Sequence, residues 1–185
     1  TDGKYKYLGG VLGQDGCIYG VPSDSDYVLR IDPATDAVSE VGPSLENEVW
    51  LQNKWQNGFC APDGTIYAAG GHDGTSFLSS CEAYNPTTDK WRTIASMGTP
   101  RAYFGLQYLH GRLYAIGGHN GDARISTCAA YDPTTDTWAP IASLHSPRAF
   151  LGTASTGKAM YALGGSDAPG HALSSCEVYE PEVGA

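Results

Sequence analysis

Paired glycines recur at Gly70-Gly71, Gly117-Gly118 and Gly164-Gly165, 47 residues apart each time. Other positions keep step with them. Tyr67, Tyr114 and Tyr161 stand three residues ahead of the first glycine of each pair. The segment Tyr84-Asn85-Pro86-Thr87-Thr88-Asp89-Lys90-Trp91 returns as Tyr131-Asp132-Pro133-Thr134-Thr135-Asp136-Thr137-Trp138, and Pro100-Arg101-Ala102 returns as Pro147-Arg148-Ala149. A strict period of this length, dense in turn residues, demands a repeat architecture in which each unit buries its faces against its neighbours.

Within one period the signals are short strands. In the third unit Ala102 to Leu109 is an apolar run closed by the turn His110-Gly111, and Arg112 to Gly118 follows with β-formers. The loop Asn120-Gly121-Asp122 leads into Thr127 to Tyr131. A Pro-containing turn, Asp132 to Asp136, precedes a last strand from Trp138 to Ser143. Four antiparallel strands per repeat make a propeller blade. One period throughout excludes a sandwich of unlike strands, and leucine-rich repeats would need a shorter period with helical segments. The fold class predicted is all-β: about four blades, near residues 6–45, 54–96, 101–143 and 148–181, in one propeller domain or a portion of one.

This joint pattern of apolar strand, Tyr-x-x-Gly-Gly, Tyr-Asn/Asp-Pro-x-x-Asp-x-Trp and Pro-Arg resembles the kelch repeat family from Trp55 to Glu180. The first unit departs from it. Asp15-Gly16-Cys17-Ile18-Tyr19 aligns with Asp63-Gly64-Thr65-Ile66-Tyr67, but Val21-Pro22 replaces the di-glycine and Val38 stands where Trp91 would be. It reads as a blade of a neighbouring repeat type. The fourth unit ends at Pro181-Glu182-Val183-Gly184-Ala185 without a Trp strand, so the expectation is an open arc belonging to a larger propeller. A closed four-bladed ring is the alternative.

Composition narrows the partners. The net charge is −9, whereas nucleic acid and anionic membranes call for a basic footprint. No run of apolar residues is long enough to span a bilayer as a helix. The five cysteines, Cys17, Cys60, Cys81, Cys128 and Cys176, are odd in number and form no C-x-x-C pair, which speaks against a disulfide framework or a zinc site and favours a reducing, cytoplasmic address, with an organelle interior as the alternative. Cys81, Cys128 and Cys176 hold one register position and are expected to be buried free thiols.

Four basic residues share a second register: Lys6, Lys54, Arg101 and Arg148, each four residues before a glycine that opens the innermost strand. Innermost strands line a propeller's channel. Two readings stand: these side chains tie blades together, or they form a ring for an acidic ligand. The family resemblance implies the second for Arg101 and Arg148, since kelch domains that capture acidic peptides use arginines at this strand start. Lys6 and Lys54 lack the guanidinium fork. Antiparallel order puts the loops after the di-glycines on the same face. These loops bring His72, His119 and Phe77 to that mouth, the last as an exposed aromatic anchor. The histidines have no carboxylate at ligand spacing and read as loop contacts rather than metal ligands.

The expected function is therefore a protein-binding module or adaptor that takes an acidic or hydroxyl-bearing segment at the propeller mouth, with no cofactor, no metal and no catalysis. The alternative is a structural subunit held in a larger assembly through its blade edges. An oxidoreductase on this scaffold is the third reading. The copper oxidases related to the family need tyrosine and histidine ligands and a cysteine–tyrosine crosslink, and no such set can be matched here.

Overall fold

A computed structural model of the chain describes residues 6–45, 55 and 57–181. They contain strands, turns and loops and no helix, and the chain divides into two compact units, Thr1–Ser96 and Met97–Ala185.

The first unit holds two four-stranded antiparallel blades. One is β1 (Tyr7–Leu12), β2 (Ile18–Pro22), β3 (Val28–Asp32) and β4 (Ala37–Val41), hydrogen-bonded in that order. The other is β5 (Asn57–Cys60), β6 (Ile66–Ala69), β7 (Cys81–Asn85) and β8 (Lys90–Ile94), again in sequence order. The divergent first repeat is thus a complete blade. Val21 is buried and lies where a Cβ added to Gly58 would come within 2.3 Å of it, so the glycine of the second blade makes room for the valine of the first.

The second unit holds a four-stranded blade, β9 (Gly105–Leu109), β10 (Arg112–Ile116), β11 (Cys128–Asp132) and β12 (Thr137–Ile141). Beside it stands a three-stranded blade of β13 (Gly152–Ser155), β14 (Met160–Leu163) and β17 (Cys176–Tyr179). Between β14 and β17 a small hairpin, β15 (Ser166–Ala168) and β16 (His171–Ala172), turns at Pro169-Gly170. The blades pack through Leu109, Tyr114, Ile116, Cys128 and Ala130 on one side and Met160 and Ala162 on the other.

The same turn chemistry closes the outer hairpin of three blades. Asp36, Asp89 and Asp136 all adopt positive φ, between 52° and 55°. Aspartate tolerates that conformation better than most side chains. The Asp32, Asn85 and Asp132 side chains accept the amide of the residue two positions on, at 2.9 Å in each case. The buried tyrosine of the third strand anchors the turn from inside: Tyr84 and Tyr131 donate to Asp89 and Asp136 at 2.6 and 2.8 Å. Burial, followed by the Asp89 carboxylate, pushes the Tyr84 phenol well above its usual range.

The di-glycine is required by crowding. Gly117 and Gly118 have φ of 61° and 105°, and an added Cβ would stand 2.6 Å from the Arg148 carbonyl and 2.6 Å from Phe104 Cβ respectively. Trp91 fills the wedge inside the first unit, packed with Val21, Leu45, Trp55 and Ala68 and stacked on Trp55 at 5.2 Å.

Two expectations need correcting. The apolar run from Ala102 is not strand from its start: Tyr103 takes φ of 55°, and β9 begins at Gly105. Among the three cysteines in register, Cys81 and Cys128 are buried but Cys176 is exposed, although all are free thiols. Cys128 packs against Met160 and Ala162 of the following blade, while no described residue covers the corresponding face of β17.

Candidate partner-binding site

The loop end of the second unit is built from two register-equivalent corners. Ala102 pairs backbone to backbone with His119, and Ala149 with Ser166. The start of each inner strand therefore lies beside the loop after its own di-glycine, as antiparallel order requires. Directly after each alanine the chain kinks. Tyr103 and Phe150 have φ of 55° and 58°, and the Phe150 amide donates to the Tyr103 carbonyl at 2.8 Å. Bulky side chains rarely occupy this region, so the surrounding hydrogen bonds must hold it in place. The kink turns both rings outward. They stack at 4.3 Å with planes 26° apart, yet remain 37% and 58% exposed.

Arg101 and Arg148 sit beneath this pair, not on it. They are 2% and 0% exposed. Arg101 donates to the Gly117 and Thr127 carbonyls at 3.0 and 2.9 Å. Arg148 repeats the pattern on the Gly164 and Ser175 carbonyls, both at 3.0 Å, and adds the Ser175 hydroxyl at 3.1 Å and the Glu177 carboxylate at 2.6 Å. These partners belong to the arginine's own blade. Each guanidinium closes the gap where the second and third strands splay apart after the di-glycine. Burial alone would raise the Glu177 carboxyl. The His145 and Ser146 amides, the His145 ring and the Arg148 charge outweigh it and hold it below the usual carboxylate range.

Lys6 is exposed, and its carbonyl accepts the Ser23 and Ser25 amides at 2.9 and 3.2 Å. Lys54 lies outside the described residues. His72 and His119 are half-buried, and each accepts through Nδ1 from the amide two residues on, Gly74 at 3.0 Å and Gly121 at 3.1 Å, which leaves Nε2 to carry the proton of the neutral ring. Phe77 is half-buried edge-on against His72, with ring centroids 4.8 Å apart, so it is less open than expected.

The structure adds Arg124 to the site. It pairs through its backbone with His119, next to the Ala102 corner. Its Nε is buried without a hydrogen bond, and among the described residues its guanidinium has no carboxylate or carbonyl partner. In register Arg124 corresponds to Phe77. It is a cation with donors to spare at the same end of the unit, one backbone pairing removed from the Ala102 corner through His119. Among the described residues no group of three or more His, Cys, Asp or Glu side chains is placed to hold a metal ion, and no helix is long and apolar enough to cross a membrane.

Comparison with known proteins bears on the fold and the family. The sequence profile described as "Kelch motif" matches residues 56–98, 100–145 and 147–184. The influenza virus NS1A-binding protein of Homo sapiens is 44% identical over 50 residues, 27% of this chain and 8% of that protein. Its Mus musculus homolog is 42% identical over 50 residues, with the same shares. The chain thus spans about 8% of the length of these curated relatives. The solved structure titled "Structure of YjhT" superposes with a TM-score of 0.74 at 15% identity, over 98% of this chain and 68% of that one, a likeness of fold.

Proposed function

This chain belongs to the kelch-motif family, and from that premise we propose that it is a non-catalytic protein-interaction module whose contact surface is the loop end of the Met97–Ala185 unit. Kelch-repeat proteins commonly bind protein partners, and the curated relatives are named for binding one. The observation that carries the reading is Arg124, whose guanidinium has no partner among the described residues, at the same loop end as the outward-stacked Tyr103 and Phe150. A carboxylate or hydroxyl of a partner segment meets Arg124 while a neighbouring apolar side chain lies on the rings. Exposed aromatics and arginine are the residue types that dominate binding energy at interfaces. Arg101 and Arg148 support the surface from below by fixing the loops. The cytoplasm is the compartment we propose, because five free thiols persist in a reducing environment.

The test is fluorescence polarisation with a set of acidic peptides carrying aliphatic and hydroxyl residues. A charge-assisted contact is worth roughly 1.5–3 kcal/mol, so Arg124→Ala is expected to weaken the best binder by about ten- to a hundred-fold. Phe150→Ala should weaken it too. Added salt should reduce wild-type affinity and leave that of Arg124→Ala nearly constant. Wild-type affinity in Arg124→Ala, or a large fall in its melting temperature, would assign this arginine to structure and remove the reading.

A further inference from the structure

The loop after the di-glycine of the third blade contains Asn120-Gly121, and the groups of an acyl-transfer reaction stand around that pair. An asparagine followed by glycine can cyclise: the glycine nitrogen attacks the side-chain amide carbon, and no Cβ hinders its approach. A backbone amide is a poor nucleophile until its proton is taken. Here the proton points at a base. The Gly121 amide donates to His119 Nδ1 at 3.1 Å, within the reach that a general base needs. The carbonyl under attack is held as well. Asn120 Oδ1 accepts from the Asp122 and Ala123 amides at 3.0 and 2.9 Å. Backbone donors aimed at one carbonyl oxygen are the arrangement that stabilises a developing oxyanion. Asn120 is half-buried and Gly121, Asp122 and Ala123 are exposed, so water reaches the loop.

Two other places in the chain separate this geometry from the dipeptide alone. Asn57-Gly58 is the same pair, but it opens β5, where Asn57 and Gly58 pair with Ala69 and Ala68. The ladder holds that backbone extended, and Gln56 rather than a histidine precedes it. Asp73 stands in the register position of Asn120, 47 residues earlier. Its Oδ1 accepts from the Thr75 and Ser76 amides at 2.8 and 2.6 Å, and the Gly74 amide donates to His72 Nδ1 at 3.0 Å. The second blade thus shows the same loop with an aspartate already in it, its carboxylate taking the same contacts.

From this we propose that Asn120 is a self-modification site, at which His119 acts on the Gly121 amide and the asparagine is converted to aspartate and isoaspartate. The Gly121 proton passes to His119 Nδ1 as the bond from Gly121 N to Asn120 Cγ forms, and the Asp122 and Ala123 amides hold the oxyanion on Oδ1. Collapse breaks the bond from Cγ to Nδ2. The amine takes the proton back from the imidazolium and leaves as ammonia, with a succinimide ring left in the chain. Water then opens the ring. Cleavage between Cγ and Gly121 N gives aspartate, and cleavage between the Asn120 main-chain carbonyl and Gly121 N gives isoaspartate. The reaction does not depend on the Arg124 surface, but it adds a negative charge to the loop in which Arg124 pairs with His119.

The test is incubation of the folded chain at neutral pH in water enriched in heavy oxygen, with conversion followed by peptide mapping and tandem mass spectrometry. A synthetic peptide of residues 115–127 is incubated beside it. A positioned general base contributes about a hundred-fold or more, so Asn120 in the folded chain should convert at least about ten-fold faster than in the peptide, and faster than Asn57 of the same chain by a similar factor. In urea the two Asn-Gly sites should convert alike. His119→Asn keeps an acceptor near the Gly121 amide but removes the base. It should slow Asn120 by about ten-fold or more and leave Asn57 and the near-ultraviolet circular dichroism as in wild type. Conversion of Asn120 no faster in the folded chain than in the peptide would overturn the proposal. Equal native rates at Asn57 and Asn120, or a wild-type rate in folded His119→Asn, would do the same.

Discussion

Replacing Arg148 by alanine tests whether the buried arginines hold the blades. The side chain is fully buried and makes four hydrogen bonds, to two carbonyls, a hydroxyl and the Glu177 carboxylate. Alanine leaves the Gly164 and Ser175 carbonyls without this donor and Glu177 without its cation. Breaking a largely buried ion pair by removing one partner costs about 3–5 kcal/mol. For a cooperative unit of this size each kcal/mol lowers the melting temperature by about 4–8 °C, so a fall of at least 12 °C is expected. Arg101→Ala removes bonds to the neutral Gly117 and Thr127 carbonyls and should cost less. Arg148→Lys keeps the charge but not the planar fork and should fall between wild type and alanine. The assay is thermal unfolding by near-ultraviolet circular dichroism, repeated at low and high salt. The Arg148→Ala deficit should be nearly the same at both, because a buried pair is poorly screened. A fall under about 2 °C, together with loss of acidic-peptide binding, would mean that the guanidinium is held for a ligand and that its bonds in the free protein contribute little.

Two further outcomes follow from the same geometry. Glu177 is held below its ordinary range in the folded chain, so its contribution is present at neutral pH and is lost as pH falls through that lowered value; Glu177→Gln should flatten this acid limb of a stability-against-pH curve, and an unchanged limb would sink the assignment. Brief treatment of the native chain with iodoacetamide should label Cys176 well ahead of Cys81 and Cys128, while denatured, unreduced chain should titrate as five thiols; rapid native labelling of Cys128, whose thiol is pushed up by burial, would contradict its place in the core.

The architecture was legible because its causes repeat. The later blades share a di-glycine where backbones cross, and the second and third share an Asp at positive φ with a Tyr beneath the turn, so these requirements left marks 47 residues apart. The basic register was equally visible, but register alone does not say which way a side chain points. The carbonyls that occupy Arg101 and Arg148 are main-chain atoms, and no residue type announces them. The aromatic corner was hidden for another reason. Tyr103 and Phe150 lie in an apolar run that reads as strand, and nothing in the pattern marks an aromatic residue for a left-handed kink. Arg124 was passed over because it breaks the period: its counterpart one blade earlier is Phe77. Periodicity finds what every blade must have and passes over what one blade has alone.

The arginine ties also bear on how such chains grow. The Arg101 guanidinium bonds Gly117 and Thr127, and the Arg148 guanidinium bonds Gly164, Ser175 and Glu177, so these side-chain clasps lie within the repeat that each closes. A duplicated segment of one period arrives with lock and key already matched and asks no compensating change of its new neighbour. Clasps that crossed from blade to blade would instead have to be rewritten at both joints of every insertion. Nearest-neighbour interfaces in repeat proteins then need only generic packing, supplied here by small and aromatic residues that recur in register. Blade number can drift in a lineage built this way while the corner of each blade keeps its shape, leaving the solitary, non-repeating side chains free to change what is bound.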